Sequence, residues 1–229
     1  VGFTGNAANA FDNKNVGTGK TLTVSGSNNL TLSGASASNY QLAATYTGTG
    51  GSITKKDVVL SGINTVDRDY DATLTVAMSG TPSIAAFAGD TVSFVGSATG
   101  SMLDKNAGLA KKVSVSGISL GSGADNGNYN LIMPTNLTVD ISRANLSVTG
   151  LQGVDKTYDT TSAAMLTGTA TISALAGDVV TLGGTAVATF ADANVARDAN
   201  GVVIAKNVSV SGYTITGTDA LNYNLQQPT

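Results

Sequence analysis

The 229-residue chain has 12 Lys or Arg against 15 acidic residues, every acid being Asp, and it contains no Glu, His, Cys or Trp. Imidazole bases, thiolate nucleophiles, disulfide staples and Cys/His zinc cages are therefore excluded. A net charge of -3 offers no basic footprint, so no nucleic-acid partner is expected, while 41% hydrophobic residues in short alternating runs predict a folded chain.

In chain order, the first strand signal is Leu22-Thr23-Val24-Ser25-Gly26, followed by Asn39-Tyr40-Gln41-Leu42 and Ile53-Thr54-Lys55-Lys56. Next come an Asp-rich stretch, Val66 to Asp71, and the alternating strands Leu74-Thr75-Val76 and Thr91-Val92-Ser93-Phe94. Between those strands, Ser83 to Ala88 predicts a single helical turn before Gly89-Asp90. Val113-Ser114-Val115-Ser116-Gly117, Asn128-Tyr129-Asn130-Leu131 and Leu137-Thr138-Val139-Asp140-Ile141 continue the strand pattern. Then the order returns: Leu146 to Thr149, Val154-Asp155-Lys156-Thr157-Tyr158-Asp159, a turn over Ser173 to Ala176, Gly177-Asp178, Val208 to Gly212 and Asn222-Tyr223-Asn224-Leu225.

That return is an internal repeat. Val66 to Asp71, Ala88-Gly89-Asp90 and Ile53 to Lys56 recur near Val154, Ala176 and Ile141 at one common displacement of 88 residues. The third Val-Ser-Val-Ser-Gly copy is displaced by a seven-residue stretch around Arg197 to Val203, as a surface loop tolerates. The chain thus divides into residues 1–52, the C-terminal half of a unit, and two whole units, 53–140 and 141–229. Short strands and frequent turn signals, almost without helical periodicity, predict an all-β fold: tandem immunoglobulin-like β-sandwich repeats of about 88 residues in an elongated array. The joint Val139 to Arg143 lacks Gly and Pro and predicts an extended, stiff connection. Residues 1–52 lack half a unit, so they are expected to be less stable or to be completed by a neighbouring molecule through edge pairing. The chain opens on Val1 without Met, signal peptide or bilayer-length apolar run, and is expected to be a piece of a larger protein with no membrane insertion of its own.

The order Ile-Ser-Lys/Arg-Ala, Asp-Lys-x-Tyr-Asp, Ala-Gly-Asp, Asp-x-Asn, Val-Ser-Val-Ser-Gly and Asn-Tyr-x-Leu resembles the YDG repeats of large bacterial secreted adhesins of the filamentous haemagglutinin type, exported by two-partner secretion. The resemblance covers essentially the whole chain. It implies Gram-negative export, cell-surface display and support of cell adhesion as a stalk, with neighbouring repeats as partners. Host or surface glycans and proteins would be engaged by other parts of the full protein. The family glycine is absent: Tyr70-Asp71 is followed by Ala72 and Tyr158-Asp159 by Thr160. If that glycine takes positive φ, these copies are expected to use another turn geometry.

Four candidate chemistries remain. Asp67, Asp69 and Asp71 at alternate positions would share one strand face, a calcium-like donor set, although Asp side chains tied to backbone N–H groups explain the pattern better. Tyr40, Tyr129 and Tyr223 could stack on sugars, but a buried ring with its hydroxyl tied to backbone is the favoured reading, and Tyr70 and Tyr158 are read the same way. Asp/Lys pairs such as Asp104-Lys105 and Asp155-Lys156 recur with the repeat, unlike an active site, so no enzyme and no cofactor are expected. Glycosylation sequons begin at Asn29, Asn136, Asn145 and Asn207. The competing function is a carbohydrate- or calcium-binding sandwich module of a similar surface protein.

Overall fold

The computed structural model describes residues 1–25 and 30–228; Gly26, the Asn29 sequon and Thr229 lie outside the described residues. The strands are β1 (Gly2–Gly5), β2 (Ala8–Phe11), β3 (Gly17–Ser25), β4 (Leu30–Ser33), β5 (Thr45–Ile53), β6 (Lys56–Val59), β7 (Ser61–Thr65), β8 (Arg68–Asp69), β9 (Thr75–Val76) and β10 (Met78–Ser83). They continue as β11 (Phe94–Met102), β12 (Gly108–Leu120), β13 (Tyr129–Ile132), β14 (Thr138–Ser142), β15 (Ala144–Ser147), β16 (Thr149–Val154), β17 (Met165–Thr171), β18 (Thr181–Phe190), β19 (Val208–Thr216) and β20 (Tyr223–Gln226). The architecture is the all-β sandwich type expected from the alternation. Its few helical turns fall elsewhere than predicted: Ala37–Asn39, Asn126–Asn128 and Ala220–Asn222 each form one 3-10 turn directly before or within an Asn-Tyr pair. The segments before Gly89-Asp90 and Gly177-Asp178 are instead tight turns, closed by Asp90 N–H to Phe87 O and Asp178 N–H to Leu175 O.

The chain forms two compact units, each discontinuous in sequence. The first holds Val1–Ile63, Gly80–Ala98 and Ser116–Pro134; the second holds Asn64–Ser79, Thr99–Val115 and Thr135–Thr229. Each sequence repeat therefore does not correspond to one compact unit. The chain passes from one unit to the other inside β7, β10, β11 and β12, within two residues of Gly62, Gly80, Gly96 and Gly117. Gly96 takes φ 82° and a Cβ there would meet the carbonyl oxygen of Gly117 at 2.1 Å. Gly184 and Gly212 repeat that arrangement, with the added Cβ of Gly184 2.1 Å from Gly212 O. Only glycine tolerates both the positive φ and so close a backbone approach. That is why the strand motif ends in Gly.

In the first unit, β3 pairs antiparallel with β2 and β5, β1 with β4, and β13 runs parallel to β6. Val58, Leu60, Ile63, Ile118 and Tyr129 are buried. Residues 1–52 are joined here to segments of the following repeat, since Val16 N–H donates to Asn128 Oδ1 at 2.9 Å. Their expected completion by a neighbouring molecule is thus replaced, in part, by completion within the chain.

The second unit has a five-stranded sheet in the order β8-β14-β12-β11-β9. Alternation puts Val139 and Ile141 of β14 inward, at 1% and 2% exposure, next to Val113 of β12. With Tyr70, Val76 and Met102 they pack on Leu146 and Tyr223, flanked by Ile172, Val180 and Ile215. The joint is extended, as expected, and it is also a sheet strand with one buried face, held antiparallel to β12 and parallel to β8. Parallel pairing of β15 with β20 closes the other side.

The seven-residue stretch folds as its own small hairpin. Arg197 bridges Val203, and Asp198 Oδ1 accepts N–H groups of Asn200 and Val202 at 2.9 Å each.

Candidate functional site

The most concentrated polar chemistry in the second unit surrounds Asp178, whose side chain is fully buried. The tight turn ending in Gly177-Asp178 aims its carboxylate at the core, where three donors meet it. Tyr70 Oη donates to Oδ1 and Oδ2 at 3.0 and 2.8 Å, Tyr223 Oη donates to Oδ2 at 2.6 Å, and Lys105 Nζ donates to Oδ1. Lys105 also pairs with Asp219 at 3.1 Å. Tyr223 Oη in turn accepts Leu175 N–H at 2.9 Å, and the Tyr70 and Tyr223 rings meet edge to face with centroids 5.6 Å apart. A buried carboxylate with three charged or hydroxyl donors is satisfied rather than available for catalysis.

The first unit repeats this arrangement. Lys14 pairs with Asp90 at 2.5 Å and Asp125 at 2.7 Å, Tyr129 Oη donates to Asp90 Oδ2 at 2.7 Å, and Phe87 N–H donates to Tyr129 Oη at 2.9 Å. Beside each lysine an asparagine pair adds a second link. Asn128 Nδ2 donates to Asn15 Oδ1 and Asn222 Nδ2 to Asn106 Oδ1, while Val16 and Ala107 N–H groups donate to Asn128 and Asn222 Oδ1. In both units the Lys-Asn comes from one sequence repeat, and the Asp, Asn and Tyr come from the next.

Charge states follow from these contacts. The Lys14 ammonium and the Tyr129 hydroxyl hold Asp90 below the usual carboxylate range. At Asp178 burial pushes upward, but Lys105, Tyr223 and Tyr70 outweigh it and the net shift is downward. Burial, then Asp178, pushes Tyr223 up to about 12, and burial likewise raises Tyr70 and Tyr129. Lys14 and Lys105 are raised by their carboxylate partners. Each group is thus held in the form its partners require.

Two of the five tyrosines depart from the expected burial. Tyr129, Tyr223 and Tyr70 are buried, but Tyr158 is 58% exposed and Tyr40 is 65% exposed. For Tyr158 the reason is that the Asp and Tyr partners that enclose Tyr70 have no counterpart beside it among the described residues. The Asp-rich stretch divides its carboxylates among different tasks. Asp67 Oδ1 accepts Asp140 N–H at 2.9 Å, while Asp71 pairs with Arg68 and Oδ1 accepts Thr73 N–H and Oγ1. Asp69 lies in β8, which is only two residues long and does not present three carboxylates on one face. No group of three potential ligands that could hold a metal occurs among the described residues.

Turn geometry after Tyr-Asp is also corrected: Ala72 at φ 63° and Thr160 at φ 66° keep the left-handed conformation. The cost to a Cβ is offset by the aspartate cap, since Asp159 Oδ1 accepts Thr161 N–H at 2.9 Å as Asp71 does from Thr73, and Lys156 pairs with Asp159.

Lys14 and the Asn neighbours were not singled out from sequence, and Lys105 was read only as a neighbour of Asp104, because Lys14 and Asp90 are 76 residues apart and ordinary in type. The available signal was the recurrence of Lys-Asn at 14–15 and 105–106, each a similar distance before Gly-Asp.

A family model described as YDG domain matches residues 1–48, 54–138 and 142–229. No curated protein and no solved structure matches the chain significantly.

Proposed function

The chain belongs to the YDG domain family, and on that premise we propose that it is a run of structural spacer repeats from a secreted, cell-surface adhesin of a Gram-negative bacterium. It supports cell adhesion by carrying a binding region, borne elsewhere in the full protein, away from the surface. The observation that carries this reading is the use to which the titratable groups are put. Lys14 with Asp90 and Asp125, and then Lys105 and Tyr70 with Asp178, Asp219 and Tyr223, tie one repeat to the next, while Tyr129 and Tyr223 hold the aspartates in place. Groups consumed in joining repeats are neither nucleophile nor base, so the role is non-catalytic. Secretion and surface display rest on the resemblance of the repeat motifs to those of adhesins.

Strands of about 5 to 10 residues rise about 3.3 Å per residue, so each repeat adds roughly 20 to 40 Å to a spacer. Small-angle scattering on the full chain, and on the chain lengthened by one repeat, tests this. The maximum dimension should grow by that increment; an unchanged maximum dimension would contradict a spacer. The carbohydrate-binding alternative draws on the exposed rings of Tyr40 and Tyr46, and binding on a glycan array lost in a Tyr46→Ala variant would favour it.

A further inference from the structure

We propose that the groove around Tyr158 and Phe190 is a docking face for a further YDG repeat joined in tandem, entered by its first strands and by its counterparts of Asp178, Asn222 and Tyr223. This deepens the spacer reading by naming the partner that the groove accepts. Three observations carry it.

First, the groove is built from the counterparts of residues that are covered in the second unit. Tyr158, Phe190 and Val208 stand in register with Tyr70, Met102 and Val113, beyond the glycine pairs Gly150–Gly168 and Gly184–Gly212 that match Gly62–Gly80 and Gly96–Gly117. Tyr70, Met102 and Val113 are at most 4% exposed because β14, Leu146 and Tyr223 cover them. Tyr158 is 58% exposed, and the space beside it is about 790 Å³, lined by Val154, Phe190, Ile204 and Val208 among others.

Second, the linking loop is already formed and its link is unmade. Asn194 N–H donates to Asp192 Oδ1 at 2.7 Å and Lys206 pairs with Asp192, just as Asn106 N–H and Lys111 meet Asp104. Yet the Asn194 side chain and the Val195 N–H have no hydrogen-bond partner among the described residues. Their counterparts at Asn106 and Ala107 bind Asn222.

Third, Pro228 lies at the edge of the groove and its carbonyl accepts Val210 N–H at 3.1 Å, so a tandem strand entering there would run where β14 runs in the second unit. The groove also differs from its counterpart in one residue that sets strength. Ala193 stands where Lys14 and Lys105 stand, so the docked repeat's Gly-Asp carboxylate would meet Tyr158 without an ammonium. A groove of this volume could also take a small ligand. The preformed but unpartnered asparagine loop favours the repeat.

The test uses the full chain lengthened by a second copy of residues 136–229, whose own counterpart of Tyr158 is changed to Phe so that the original peptide stays distinguishable. Nitration of Tyr158, followed by peptide mass, should slow at least tenfold on lengthening, while exposed Tyr46 reacts unchanged. Ala193→Lys should raise the urea midpoint of the lengthened chain and leave that of the original chain unaltered. Equal nitration of Tyr158 in both chains would overturn the proposal. So would protection of Tyr158 in the original chain by added oligosaccharide with none on lengthening. A chain that gains length in scattering without protecting Tyr158 would spare the spacer reading and overturn only the docking.

Discussion

Tyr70 and Tyr158 occupy equivalent sequence positions and have opposite surroundings, which makes them a controlled pair. Tyr70→Ala removes a buried ring and one donor to Asp178, and should cost roughly 3 to 5 kcal/mol, a large share of a domain's stability. Tyr158→Ala, at an exposed position, should change the urea midpoint little. Equal losses in the two variants would contradict the assignment. Ala72 and Thr160 make a second residue-scale case. Both hold left-handed backbone at a position where L-residues lose about 1 to 2 kcal/mol, so Ala72→Gly and Thr160→Gly should raise the midpoint, Thr160→Gly the more because Thr is β-branched. At this scale the sequence showed that the tyrosines repeat and matter. Which of them is buried depends on partners dozens of residues away, and position within a motif carries no record of that.

At the level of elements, alternation made β12, β14 and β15 legible, because one buried face on a strand leaves a period of two. The parallel pairing of β13 with β6 and of β15 with β20 was not legible, since it joins strands more than 70 residues apart. The facing glycines were visible as letters but not as pairs. Gly96→Ala should destabilise the chain by more than about 1 to 2 kcal/mol, combining positive φ with a Cβ driven into Gly117 O. The polar clusters at the turns predict pH dependence in both directions. Asp90, Asp125, Asp178 and Asp219 have folded pKa values below their unfolded ones, so the unfolded chain binds more protons in acid. Their contribution is complete above about pH 4 and is lost as pH falls through the folded values. Tyr70, Tyr129, Tyr223, Lys14 and Lys105 have raised values, so the folded chain binds more protons in alkali. Their contribution is complete below about pH 10 and is lost as pH rises toward the value of about 12 at Tyr223. Urea midpoints measured from pH 2 to 12 should form a plateau with two falling limbs; a midpoint flat above pH 10 would show that these networks do not couple to folding.

Across the whole molecule, the repeat read from sequence and the compact unit of the fold are offset by about half a repeat. Periodicity reports how far apart equivalent residues are and leaves the phase of the folding unit open. The side-chain links Lys105 to Asp178 and Asn106 to Asn222, with the packing of Tyr70 on Tyr223, reveal that the core of the second unit is assembled from two successive repeats. A chain built this way gains cohesion, because the buried ring of Tyr70 in one repeat packs on Leu146 and Tyr223 of the next. Native-state hydrogen exchange on the full chain carrying Tyr70→Ala tests this central claim most directly. The amides of Leu146, Leu175 and Tyr223 should lose protection together, although they belong to the next sequence repeat, while Val58, Leu60 and Tyr129 keep theirs. Loss of protection throughout residues 54–138, with residues 142–229 unaffected, would show instead that each repeat folds by itself.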